Sequence, residues 1–242
     1  MALSFGGTIG VEEGERLEHD AQSAALLAGL LLALIFVSAI WAWRAARERK
    51  PRVVCFGDSL TSCGGSGGRY SDYLAHALPG MLVINKGVSG ETLADGRRRF
   101  RRDVLDLGPA ALVIALGAND WKRNERSIEA LREDLEFMVR SAREAGIRVV
   151  IAGVFGEHPD PAGRALRERH KGPEGLAPQI HRMEREIAAR YGCGYVPNMQ
   201  IDLNTPDCWD ATGHPSPAGN RLVAQRILEP LREVLAMADG GG

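Results

Sequence analysis

The residues best placed to do chemistry in this chain stand at the end of a short apolar run, in Phe56-Gly57-Asp58-Ser59-Leu60. Val53 to Phe56 reads as a buried parallel strand that Gly57 ends. A serine at such a corner lies at the carboxyl edge of a sheet, where open α/β folds place their ligands. Alone, Gly-Asp-Ser is also an ordinary turn or helix cap. Three further segments come after it in order: Asn85-Lys86-Gly87-Val88-Ser89-Gly90, Gly117-Ala118-Asn119-Asp120 and His214-Pro215-Ser216-Pro217-Ala218-Gly219-Asn220. The first of these comes after the apolar run Met81 to Ile84, and the second after Ala111 to Leu116. Three loops that each leave a strand open on one edge of a parallel sheet, which makes a site of them. The histidine segment lies just before a C-terminal helix.

This ordered set resembles the SGNH or GDSL hydrolase family, in its lysophospholipase/thioesterase-like and arylesterase-like branch, over roughly Arg52 to Leu235. The resemblance implies Ser59 as nucleophile and His214 as general base. It also implies an oxyanion hole from the N–H of Ser59, the N–H of Gly90 and the side-chain amide of Asn119. The chemistry agrees with that assignment. A serine hydroxyl is a weak nucleophile until a base takes its proton. Acyl transfer builds negative charge on the carbonyl oxygen, which preorganised N–H donors stabilise. Gly90 lets the backbone approach the substrate without a Cβ in the way. No metal or organic cofactor is called for.

The chain departs from the family at the triad acid. The usual pattern is Asp-x-x-His, but Ala211 stands three residues before His214, and Asp210 stands four before it. A loop with one extra residue, bringing Asp210 onto the histidine, is the first way to complete the triad. Asp207 is a more distant candidate, and a dyad oriented by a backbone carbonyl is the third.

The elements that must position these residues alternate along the chain. Strand-like runs are Arg52–Phe56, Met81–Asn85, Ala111–Leu116, Arg148–Phe155 and Gly194–Pro197. Helical patterns lie at Tyr70–Leu78, Thr92–Leu107, Ser127–Ala145, Leu176–Tyr191 and Pro217–Met237. Ser127 is a good N-cap, Gly146 closes its helix, and Pro217 suits a first turn. Continuous apolar strands between helices predict a parallel sheet covered on both faces. The expected fold class is α/β, a three-layer α/β/α sandwich. It is flavodoxin-like, with about five parallel strands in order 2-1-3-4-5, and it matches the fold the resemblance implies. The hydrolase domain spans residues 52–238, and the glycine tail 239–242 is expected to be disordered. Gly156 to Gly175, which holds His158 and His170, is long for a connection and reads as a lid or substrate wall.

Ahead of the domain, an acidic tail (1–20) precedes Ala21 to Trp43, which holds no charged residue over 23 positions. That length predicts one transmembrane helix preceding the domain, with Trp41 and Trp43 at the interface. A cleaved signal peptide fits poorly, because the preceding region is acidic. Arg44, Arg47, Arg49 and Lys50 mark a basic linker (44–51). The positive-inside rule then gives a single-pass protein of a bacterial inner membrane with a cytoplasmic catalytic domain, the periplasm being the alternative.

The net charge of −1 conceals an asymmetry, since 29 basic and 26 acidic residues come after position 43. Part of the surplus is the run Arg97-Arg98-Arg99-Phe100-Arg101-Arg102, read as a solvated helix face paired to Asp95, Asp103 and Asp106. Anionic lipid headgroups are a second partner for it. No recognition motif accompanies it, so nucleic acid is not an expected partner. The four cysteines have no zinc-site spacing and read as free thiols. The sequence thus predicts a membrane-anchored serine ester hydrolase acting on acyl (thio)esters, lipid-like ones such as lysophospholipids first. Its rivals are a carbohydrate O-acetyl esterase or acetyltransferase on the same fold, and a catalytically silent anchored scaffold.

Overall fold

A computed structural model of the protein describes residues 26–41, 43, 50–154 and 175–237. The chain divides into two compact units, Met1–Lys50 and Pro51–Gly242. In the second unit, β1 (Arg52–Gly57), β2 (Leu82–Gly87), β3 (Ala111–Ala115), β4 (Arg148–Ala152) and β5 (Gly194–Val196) form one sheet. Its order is β2-β1-β3-β4-β5, and every pair is parallel, as the alternating pattern predicts. Successive strand residues face opposite sides. Val54, Phe56, Leu112, Ile114, Val149 and Ile151 lie in one buried cluster. Val53, Cys55, Val113, Ala115, Val150 and Ala152 lie in the other.

The helices are α1 (Ser59–Ser62), α2 (Tyr70–Ala77), α3 (Leu93–Asp103), α4 (Ala118–Arg123), α5 (Ile128–Glu144), α6 (Leu176–Tyr191) and α7 (Pro217–Ala236). The first cluster is closed by α3, α5 and α6, and the second by α2 and α7. Both sheet faces are therefore covered, giving three layers. Thr92 and Asp95 cap α3 reciprocally, as a capping box. Ser127 caps α5 through its hydroxyl, which accepts from the Ala130 N–H at 3.3 Å. The helix expected from Thr92 to Leu107 stops at Asp103, and Leu105–Leu107 forms a separate 3₁₀ turn. The short α4 has no counterpart among the expected helices.

The strand order reverses about β1. The chain runs from β1 to β2 on one side, then returns to place β3 on the other. The loops after β1 and β3 thus diverge at a topological switch point, the crevice where such sheets bind ligands. Ser59 comes directly after β1, and Asn119 after β3.

The arginine run behaves as a paired face with one exception. Arg98 pairs with Asp95, Arg101 with Asp106, Arg102 with Asp103, and Arg97 with Asp134. Arg99 is only 7% exposed. Its guanidinium donates to the carbonyls of Gly57 at 3.0 Å and Lys86 at 2.9 Å, pairs with Asp103 and Glu91, and lies 4.0 Å over the Phe56 ring. It clamps the carboxyl ends of β1 and β2 together directly beneath the loops they feed.

The expected transmembrane helix over 21–43 is not supported. No helix among the described residues is long and apolar enough to cross a membrane. The single-pass inner-membrane placement and the cytoplasmic orientation drawn from it fall with it, and membrane contact through Ala21–Trp43 is not shown. Segment 1–20, linker residues 44–49, the loop 155–174 with His158 and His170, and tail 239–242 lie outside the described residues. All four cysteines are free thiols.

Removing one partner of a buried ion pair typically costs about 3–5 kcal/mol. Arg99→Met is expected to lower the unfolding free energy by about 3 kcal/mol or more, because Glu91 loses its guanidinium partner, Asp103 loses one of its three cations, and the link between the Gly57 and Lys86 carbonyls is removed. Urea denaturation monitored by circular dichroism measures this. A loss below about 1 kcal/mol, the range of an exposed pair, would show that the clamp is not structural.

Candidate active site

The site is assembled from four loops, and the first begins with Asp58. This carboxyl is fully buried. One oxygen accepts the Leu60 N–H at 2.9 Å and so caps α1, the turn that Ser59 opens. The other accepts from Asn119 Nδ2 at 3.2 Å. Burial, above all, pushes the Asp58 carboxyl up from its ordinary 3.8 to about 7.

Asn119 sits in the first turn of α4. Its Nδ2 also donates to the Glu91 carbonyl at 2.9 Å. One amide thereby joins the loops after β1, β2 and β3. Both of its hydrogens are engaged here, whereas the oxyanion role expected from the sequence needs one to face a substrate. The N–H groups of Ser59 and Gly90 enter no hydrogen bond among the described residues.

The loop after β2 is shaped by two glycines with different physical demands. A Cβ on Gly87 would come within 2.6 Å of the Ser62 nitrogen, so only glycine lets β2 end against α1. Gly90 has φ +82°, and a Cβ there would meet nothing within 4 Å. Its constraint is the left-handed backbone, and the space in front of it is open. Asn85 binds this loop to the turn that Ser59 opens, donating to the Thr61 carbonyl and to Ser71 Oγ, both at 2.7 Å.

The fourth loop carries His214. Asn220, fully buried on α7, donates from Nδ2 to the Cys63 carbonyl at 3.2 Å and the Pro215 carbonyl at 3.1 Å. This ties the end of the Ser59 turn to the residue after His214, across 157 positions of sequence for the first bond. Residues 209–215 close a tight turn. Trp209 and Pro215 form an antiparallel bridge, and Asp210 N–H donates to the His214 carbonyl at 2.8 Å.

Within that turn, the Asp210 carboxylate does not reach the imidazole. One of its oxygens accepts from the Thr212 hydroxyl at 2.6 Å, the Thr212 N–H at 2.8 Å and the His214 N–H at 3.0 Å. The Thr212 hydroxyl lies 2.8 Å from His214 Nδ1. The hydrogen bond from Thr212, then the one from the His214 backbone, holds Asp210 below the usual carboxylate range. Asp207 makes no hydrogen bond to the ring among the described residues. Its carbonyl accepts from Ser216 Oγ instead. No hydrogen bond joins Ser59 Oγ to His214 among the described residues, and in ligand-free sites such bonds are often long and tighten on binding.

Two residues beneath the site are absent from the set expected from the sequence. Asp120 accepts the Leu93 N–H at 2.9 Å and caps α3. Glu184 is buried beneath the ends of β3 and β4, near Gly117 and Gly153, with one oxygen unpartnered among the described residues. Burial pushes its carboxyl up from 4.5 to about 8. Its signal in the sequence is slight: it stands four residues after Ile180 and one after Met183, on the face that carries the core residues of this helix. Among the described residues, no group of His, Cys, Asp or Glu is placed to hold a metal ion.

The model of the GDSL-like lipase/acylhydrolase family matches residues 55–222. The uncharacterized lipoprotein YqeF of Bacillus subtilis is 34% identical over 137 residues, 50% of this chain and 54% of its own length. The chain thus spans about half of that relative. An acetylxylan esterase of Geobacillus stearothermophilus is 23% identical over 74% of this chain and 93% of its own. The crystal structure of TesA superposes with a TM-score of 0.64 at 24% identity, covering 76% of this chain and 99% of that one.

Asp58 and Glu184 set a pH dependence. Their folded values lie above their unfolded ones, so the native state binds more protons between about pH 4 and 8. The stability they contribute is complete below about pH 4 and is lost as pH rises through about 7 to 8. Carboxyls held low, such as Asp210, act only below that window. Urea midpoints are expected to fall from pH 5 to pH 8, and the fall to shrink in Glu184→Gln. A midpoint that rises over this range would contradict the burial of both groups.

Proposed function

Because the chain belongs to the GDSL-like lipase/acylhydrolase family, we propose that its four loops form a serine esterase centre built on Ser59. The protein is a carboxylic ester hydrolase. Ser59 Oγ attacks the acyl carbonyl while His214 takes its proton, giving an acyl-enzyme. His214 then returns the proton to the leaving alkoxide or thiolate. A water, deprotonated by the same imidazole, releases the acid and frees Ser59. Asp210 orients His214. The open N–H groups of Ser59 and Gly90 receive the oxyanion, and Asn119 joins them by turning the hydrogen of its longer bond, the one to Asp58, toward the substrate. The catalytic unit is residues 52–238.

The observation that carries this reading is the convergence of the β1, β2 and β3 loops on one buried carboxyl and one amide, Asp58 and Asn119, with Asn220 binding the histidine loop to the same turn. A silent scaffold has no need of that network.

The substrates proposed are small acyl esters and thioesters of lipid-like character. A cleft of about 770 Å³, lined by Gly67, Tyr73, Leu74, Ala77 and Leu228 among others, shares Gly67 with the loop after the nucleophile and offers apolar surface for a chain. A second reading, removal of O-acetyl groups from a carbohydrate, is favoured by the acetylxylan esterase relative, whose length the match almost fully covers.

Hydrolysis of p-nitrophenyl esters from acetyl to decanoyl separates the two. Ser59→Ala is expected to cut kcat/KM at least about 10⁴-fold on every chain length. A preference for longer chains supports the lipid-like reading, and a preference for acetyl supports the carbohydrate one. Turnover that survives Ser59→Ala would overturn the assignment of the nucleophile.

A further inference from the structure

We propose that Thr212 is a positioning residue, its hydroxyl standing between the Asp210 carboxylate and the His214 ring and fixing which ring nitrogen is the base. The inference rests on the assignment of Ser59 as nucleophile and His214 as base.

Counting hydrogens decides the direction of each bond. A threonine hydroxyl has one hydrogen and two lone pairs, and an ionised carboxylate only accepts. At 2.6 Å from Asp210 Oδ1, the Thr212 hydroxyl gives its hydrogen to the carboxylate. It has none left for the ring. The 2.8 Å contact with His214 Nδ1 is therefore a bond in which Nδ1–H donates and the hydroxyl oxygen accepts. With the proton on Nδ1, the lone pair is on Nε2, the nitrogen left to take the Ser59 proton. When Ser59 Oγ bonds to the acyl carbon, its hydrogen moves to Nε2 and the ring becomes imidazolium. Nδ1 keeps its hydrogen on Thr212, Thr212 keeps its own on Asp210, and the added proton later leaves with the alkoxide or thiolate.

The extra residue in the turn explains why a hydroxyl is needed. Asp210 Oδ1 is held by the N–H groups of Thr212 and His214, which draw the carboxylate to the backbone and away from the imidazole. The Asp210 N–H bond to the His214 carbonyl and the Gly213 N–H bond to the Asp210 carbonyl, with Gly213 at φ +78°, hold the turn closed. The distance that Asp-x-x-His would span directly is filled by Thr212 Oγ1. Valine keeps the shape and the N–H of threonine but lacks the hydroxyl, and serine keeps the hydroxyl.

The test uses the full chain as parent, Thr212→Val and Thr212→Ser, with two readouts. In steady-state hydrolysis of p-nitrophenyl acetate, Thr212→Val is expected to lower kcat on the order of 100-fold with KM within about 3-fold, and Thr212→Ser to stay within about 5-fold of the parent. In ¹⁵N NMR of the imidazole, His214 is expected as the Nδ1–H tautomer in the parent and in Thr212→Ser, and as a mixture in Thr212→Val. A valine variant with parental kcat and an unchanged ring signal would overturn the proposal and leave Thr212 a turn residue. Turnover insensitive to Ser59→Ala would instead strike at the esterase centre, and the NMR readout would still decide Thr212: loss of the Nδ1–H tautomer in valine supports it, and its persistence refutes it.

Discussion

Three loops that leave three different strands must present their groups to one point, and the bond between Asp58 and Asn119 is what makes them do so. Asp58 caps the turn that Ser59 opens with one oxygen and holds the Asn119 amide with the other. That amide in turn holds the Glu91 carbonyl, beside Gly90. Burying a carboxyl with no exposure to water disfavours its ionised form, as its upward shift indicates. It is retained because no apolar side chain could accept from a helix N-terminus and a side-chain amide together.

Two further contacts secure this centre from below and from the side. Arg99 binds the carbonyls at the ends of β1 and β2, so the strands cannot separate beneath the loops. Asn220 binds the far end of the Ser59 turn to the His214 turn, which no strand of the sheet carries. Fold and chemistry meet in these polar groups rather than in the apolar core. The core fixes the sheet, and the sheet order creates the crevice. Buried donors and acceptors then set the positions of the loops to the tenths of an ångström that acyl transfer requires.

Much of this is legible in the sequence, because the signals are local. Strands announce themselves as unbroken apolar runs, and helix ends as Ser127 and Pro217 at the start of helical patterns. The strand order comes from alternation and from the resemblance carried by four motifs. The clamps are not legible, because each joins residues far apart: Arg99 to Gly57 across 42 positions, Asn220 to Cys63 across 157. Arg99 looks like its neighbours in a charged run, and only packing over Phe56 distinguishes it. Thr212 is hidden behind the aspartates on either side of Trp209, since spacing counts residues and says nothing of which group fills the gap. Hydropathy misleads at residues 21–43, where an uncharged stretch suggests a span that no described helix provides.

The claim on which all of this turns is that Ser59 is the activated nucleophile of the crevice. Intact-mass analysis of the full chain after treatment with a fluorophosphonate, with peptide mapping of the product, tests it without any assumption about substrate. An activated serine forms a stable phosphonyl ester where an ordinary one does not. The account predicts about one adduct per chain, on Ser59 and on no other serine. Label on a different residue, or none on Ser59 while ester hydrolysis proceeds, would contradict it.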